Sequence, residues 1–309
     1  MAPTTSPTIS LQAQPKDAAS WAALARRAED AGFDALLAAD HPGAVASPYV
    51  ALAAAAAVTS RLGLGAYVSH AGIREPLLLA SDVATLDVVS GGRARLALGA
   101  GHTPAEWEML GSSRPDVAGR VRRFLAVAEA TRTLLAGGEV TLDGPEVHAR
   151  KARLDGPRPV QDQVPFVFGG GNSALLRWAG EHADAVALSG LGRTLPDGHK
   201  HSTRIAETDV DEQLALVAEG AERAADREAP PELEALVHFV ELTDDAEAAA
   251  AELAGRLDCT AEVLLASPYA WIGTEAEIRA KIERDRSRWG ITRYVVREPG
   301  FEVAERMLG

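Results

Sequence analysis

The chain has 309 residues and 47% hydrophobic content, enough to build the core of one α/β barrel. A net charge of −13 and a pI near 5.1 oppose a nucleic-acid or anionic-membrane partner, since both select basic surfaces. Cys259 is the only cysteine, so internal disulfides and thiolate metal sites are excluded and a cytoplasmic location is the simplest expectation.

Met1–Ser10 is Pro/Thr/Ser-rich and lacks the basic start and apolar centre of a secretory signal; residues 1–8 are expected to form a disordered tail. Ile9–Gln12 reads as a first strand. Trp21, Leu24, Ala25, Ala28 and Ala31 then recur at helical spacing, and Gly32 ends the helix. Strand two is Ala35–Ala39, followed by a helix over Pro48–Ser60, strand three over Leu62–Ser69, and a helix from about Glu75 to Val89. Within that stretch, the longest apolar run, Tyr49–Val58, is about half the length that spans a bilayer. Strand four is Ala94–Ala100, and Asp116–Ala136 is a long helix. A hairpin excursion is expected near residues 138–150, with arms Val140–Leu142 and Glu146–Ala149 turning at Asp143-Gly144.

Phe166–Phe168 makes strand five, Ser173–Glu181 the next helix and Asp184–Ser189 strand six. Residues 190–207 show no apolar periodicity and read as a mobile loop or lid. Helix Asp209–Arg227, strand Ala235–Leu242 and helix Asp244–Leu257 follow. Thr274-Glu-Ala-Glu277 is a capping box for a long helix ending at Gly290, and Ile291–Val296 is strand eight. Eight strands alternating with helices predict one (β/α)₈ barrel domain over residues 9–309, an α/β TIM barrel.

Such a barrel assembles its active site just beyond the strand C-termini. That rim holds Gln12 and Gln14, Asp40 and His41, Ser69 and His70, His102 and Thr103, Gly169–Ser173, Ser189-Gly190, and Arg297-Glu298. In Gly169-Gly-Gly-Asn-Ser173, a strand runs through glycines into a helix start, a geometry that converges backbone N–H groups on a phosphate. The same residues also make a turn with Asn172 or Ser173 as N-cap. Read alone, Asp40-His41-Pro42 is a turn in which Asp40 caps amides. His199-Lys-His201 has the spacing of a metal pair but no strand to hold it, so no metal site is expected.

Several segments together resemble one family. Gly32-Phe-Asp with Asp40-His41, Ala84–Arg93 followed by Leu96-Ala-Leu-Gly-Ala-Gly101, Pro157–Gln161 leading to Gly169–Gly171, and Ile272-Gly-Thr274 are similar in order to the luciferase-like monooxygenase superfamily. The resemblance is specifically to its coenzyme F420 (deazaflavin)-dependent oxidoreductases and covers residues 9 to 297. It implies a commonly dimeric barrel with the deazaflavin at the strand C-termini and hydride transfer to or from a small organic substrate, by alcohol oxidation or reduction of an activated C=C or C=N bond. Asp40 and His41 would then lie beside the ring, with His41 near the hydride-carrying carbon. A proton handled near neutral pH suits a histidine, which points to His41 first and His102 second. A non-proline cis peptide is implied near Ala66-Tyr67, with Ser69 in contact and Gly101 close by. Gly169, Gly170, Gly171 and Asn172 would hold the phosphate. Sugar-phosphate dehydrogenases of the family carry a carboxylate where His102 stands and an aromatic shortly after the Asp-His pair. Neither is in place here, which argues against a sugar phosphate. An FMNH₂-dependent monooxygenase and a catalytically idle flavin-binding barrel are the alternatives, the first with FMN as cofactor.

Overall fold

The computed structural model describes residues 7–195, 200–224, 227 and 229–309. Among these, eight parallel strands form the barrel: β1 (Thr8–Gln12), β2 (Ala35–Ala38), β3 (Gly63–Ala66, resumed at Ser69–His70), β4 (Leu96–Gly99), β5 (Phe166–Gly169), β6 (Ala185–Leu188), β7 (Glu232–Val237) and β8 (Ile291–Arg297). β8 lies between β1 and β7, with Thr8 opposite Arg293 and Gln12 opposite Arg297. The two halves of β3 complete the ring. Gly63–Ala66 pairs with β2, Ser69–His70 pairs with β4, and Leu64 bridges to Ala94. Between the halves, the Tyr67–Val68 peptide is cis, one residue beyond the expected position. Of the expected tail, residues 1–6 lie outside the described residues, and Thr8 is already in β1.

The strands are continuous apolar runs because both of their faces are covered, β2, β4 and β6 being buried throughout. Small inward residues (Ala35, Ala97, Ala185, Ala187) leave room for the buried Tyr67, Leu236 and Val295. Helices α1 (Ala18–Asp30), α2 (Pro48–Ala56), α3 (Pro76–Ser90), α4 (Val117–Leu135), α5 (Ser173–His182) and α6 (Glu207–Ala221) surround the barrel. Asp17 caps α1 by accepting from the amides of Ala19 and Ser20 at 2.9 Å. The Thr274–Glu277 capping box opens the helix Glu275–Trp289 as its sequence predicts. No helix of the described residues is long and apolar enough to cross a membrane.

Two segments depart from the sequence reading. In the stretch read as a loop, Leu191–Thr194 and His201–Thr203 pair as antiparallel strands, and α6 starts at Glu207. His199 lies outside the described residues. β7 ends at Val237, because His238 turns to give its backbone N–H to the Tyr269 carbonyl and its Nε2 to the Ser189 carbonyl at 2.7 Å. Phe239–Leu242 therefore leaves the barrel and pairs in parallel with Ala270–Gly273. The hairpin excursion is present, its arms at Val140–Asp143 and His148–Ala152.

Candidate active site

A cavity of about 530 Å³ opens at the C-terminal rim of the barrel, within the ordinary size range of small-molecule sites. Its floor is Val68, seated between two glycines. A Cβ added at Gly99 would stand 2.6 Å from a Val68 methyl, and one at Gly169 would stand 2.7 Å from the other. The side-chain amide of Gln12 donates to the Tyr67 carbonyl at 2.8 Å and fixes the cis segment from below. The result is a flat, apolar base of the kind a planar ring system requires.

His41 lines the cavity, and its Nδ1 is 2.6 Å from Oε1 of Glu106. Glu106 is buried on the short helix Pro104–Met109. Burial pushes its carboxyl upward, but hydrogen bonding to His41 and to His70 outweighs this and holds it near 2. The carboxylate is therefore the acceptor, Nδ1–H of His41 the donor, and Nε2 is left as the ring nitrogen available to a bound molecule. The same hydrogen bond raises the His41 pKa above its ordinary 6.5, against partial burial and the repulsion of Arg297. On the other side, His70 Nε2 lies 3.0 Å from Glu106 Oε2. The Gly72 amide donates to His70 Nδ1 at 3.0 Å, so the proton of that ring sits on Nε2 and points its partial charge at the carboxylate.

His102 is different. Its ring stands edge-on to His41 at 5.3 Å and to His201 at 4.6 Å. Burial, with His201 and His41 adding repulsion, lowers its pKa to about 4. An imidazole kept unprotonated at neutral pH can accept a proton but is a poor donor, whereas His41 holds its proton more readily. Glu106, a few residues further on, sets a carboxylate against His41.

Other expected residues fall into two groups. Tyr67, Gly101, Gly169, Gly170, Gly171 and Asn172 line the cavity together with Asp40 and His41. Gly101, at φ +77°, lies directly on His70: an added Cβ would come within 1.8 Å of its ring. Gly170 has φ +156°, and the glycine run brings the chain to α5 with its backbone bare. Asn172 acts as N-cap, its Oδ1 accepting from the amides of Ala174 and Leu175, so the side chain is not a phosphate ligand. Asp40 is engaged by other partners. Its carboxylate takes Nε and Nη2 of Arg74 at 2.5 and 2.8 Å and the His70 amide at 2.9 Å. Ala66 and Ser69 do not line the cavity; Ser69 is buried with its hydroxyl 2.7 Å from that of Tyr49. Glu106 and Val68 are not legible as site residues in the sequence, and His201 is legible there only as half of a metal-pair spacing. A carboxylate beside a buried Trp107, shortly after Gly99-Ala-Gly101, was the one available signal for the first.

The luciferase-like monooxygenase profile matches residues 1–290. The chain is 32% identical over 177 residues to the 5,10-methylenetetrahydromethanopterin reductase of Methanopyrus kandleri, covering 54% of this chain and 50% of that one. It is 33% identical over 193 residues to the F420-dependent glucose-6-phosphate dehydrogenase of Beutenbergia cavernae, covering 60% of this chain and 56% of that one. The matches thus span about half the length of these relatives. The solved structure of the coenzyme F420-dependent tetrahydromethanopterin reductase from Methanopyrus kandleri superposes with a TM-score of 0.75 over 98% of both chains at 22% identity, a likeness of fold. With the profile spanning most of its length, the chain belongs to the luciferase-like monooxygenase family.

Proposed function

We propose that this protein is a coenzyme F420-dependent oxidoreductase that moves a hydride between the deazaflavin and a small organic substrate. The observation that carries this reading is the His41–Glu106 pair on the wall of a cavity whose floor is flat and apolar. The residues present fit the cofactor: Val68, Gly99 and Gly169 form the base for a planar ring, and the Gly169–Gly171 backbone entering α5 forms a cradle for phosphate. When bound, the deazaflavin supplies two-electron hydride exchange. The protein orients the substrate carbon and handles the proton. In alcohol oxidation, His41 Nε2 accepts the hydroxyl proton while Glu106 stabilises the resulting imidazolium; in reduction, the protonated ring returns it. A relative named as an F420-dependent dehydrogenase favours this cofactor over FMN. The test is to titrate the purified protein with F420 and with reduced FMN. Saturable F420 binding with substrate-dependent bleaching supports the reading; tight binding of reduced FMN with oxygen consumption and no F420 turnover overturns it.

The raised His41 pKa has a definite sign in the rate. For alcohol oxidation the imidazole must be unprotonated, so kcat/KM rises with pH and levels off above a value higher than 6.5. Removing the charge with Glu106→Gln takes away the contact that raises it, and the rising limb moves to lower pH. A pH–rate profile of wild type and variant checks this; an unmoved limb assigns the titration to another group.

We also infer a homodimer through α2 and α3. Both helices are apolar on nearly every face. They bury one stripe on the barrel and leave Val50 at 73%, Leu78 at 66% and Val89 at 53% exposure. A second copy of the chain covers such a surface by an isologous contact. Val50→Asp combined with Leu78→Asp converts the dimer to a monomer in analytical ultracentrifugation; a wild type that is already monomeric at micromolar concentration refutes the dimer.

A further inference from the structure

The charged residues that line the cavity are Asp40, Arg297 and Glu298. Asp40 is neutralised by Arg74, and Glu298 by Lys16 at 2.8 Å. Glu106, behind the wall, is shared by two imidazoles. Arg297 alone has no carboxylate, carbonyl or ring against its guanidinium among the described residues, although it is exposed at the cavity and the chain as a whole carries thirteen excess negative charges. In so acidic a protein an unpaired guanidinium at a binding cavity is a specific attraction for an anion, because the field of the remaining surface repels one.

The position of Arg297 in the barrel indicates which anion it meets. It ends β8, which pairs with β1, which in turn pairs with β2, the strand that delivers His41. The glycine cradle on β5 is three strands away in the other direction, past β7 and β6. Arg297 thus ends a strand two places from the one that delivers His41 and three from the glycine cradle. Its charge opposes protonation of His41 and also of His238, which follows β7 and is bonded to the Ser189 carbonyl. On β1, the strand between β8 and β2, Gln12, Ala13 and Gln14 line the cavity.

We propose that Arg297 binds a carboxylate of the substrate, so that the substrate class is a small organic anion whose alcohol carbon or reducible bond lies a few atoms from that carboxylate and faces His41. Calling the anion a substrate rests on the hydride-transfer reading; the anion site itself does not. A carboxylate seated on Arg297 cancels the repulsion on His41, so binding has a signature independent of turnover.

The experiment uses the full chain without cofactor and follows the His41 imidazole by NMR during titration with 2-oxobutyrate and with its uncharged counterpart butanone. The expected result is a saturable response to 2-oxobutyrate, with the His41 titration moved to higher pH, and no response to butanone at equal concentration. Arg297→Gln weakens 2-oxobutyrate by at least ~10-fold, and Arg297→Lys, which keeps the charge without the bidentate fork, lies between. F420 affinity, read by fluorescence in the same variants, stays within about threefold, a factor far below one lost charge-assisted contact. Equal responses in wild type and Arg297→Gln, no saturable response in wild type, or a tenfold or larger loss of F420 affinity in Arg297→Gln overturns the proposal, the last by assigning the anion to the cofactor. Arg297-dependent binding of 2-oxobutyrate by a wild type that binds no F420 supports the anion site and overturns the hydride-transfer reading instead.

Discussion

Replacing His41 with glutamine lowers kcat by about 10²–10⁴-fold, the range over which a positioned acid–base group acts, while F420 binding changes little. The two effects separate because His41 meets the cavity through one ring nitrogen, whereas the floor and cradle are made by Val68 and the backbone of Gly99 and Gly169–Gly171. Glutamine keeps a polar group of similar reach that can still hydrogen-bond Glu106, but it has no titrating nitrogen. Steady-state kinetics combined with a fluorescence titration of F420 measure both quantities. If the variant turns over at the wild-type rate, His41 is not the proton carrier. A parallel fall in cofactor affinity would show that its imidazole holds the ring instead.

Arg74→Met destabilises the fold by about 3–5 kcal/mol, the usual cost of stripping the partner from a buried charge. The Asp40 side chain has no solvent exposure, and two of its three hydrogen bonds come from the Arg74 guanidinium, which is itself only 20% exposed. After the substitution the carboxylate keeps only the His70 amide. Adding Asp40→Asn, which removes the stranded charge while still accepting from that amide, restores most of the loss. Urea unfolding of the wild type, the single variant and the double variant measures the coupling. Simple additivity of the two substitutions would show that the pair is no more than two independent side chains.

Much of the barrel is legible in the sequence because its strands are short apolar runs closed by glycine or a polar break, as in Ala35–Ala38 and Leu96–Gly99. Leu191–Thr194 and His201–Thr203 escape notice for the opposite reason. No position of either strand is fully buried, the first alternating between exposed and half-buried and the second half-buried throughout, so they carry no apolar signal. At the site, Asp40 and His41 stand where the strand exit puts them. What their side chains touch depends on residues 34 and 65 positions away, Arg74 and Glu106, and spacing along the chain does not reveal such pairs. His102 stands second to His41 for the proton because it is an imidazole at a strand exit. The helix that follows is visible in the sequence, but with only six residues it shows no period that would reveal Glu106 as its inward-facing carboxylate.

The Leu191–Thr203 hairpin brings Leu191, Gly192 and His201 to the cavity, yet its strands pair only with each other, outside the ring of barrel hydrogen bonds. One wall of the site is thus hydrogen-bonded apart from the barrel. Its side chains still reach the rim, His201 standing edge-on to His102, so changes between Gly190 and Arg204 reshape the cavity without entering the strand pairing that delivers His41.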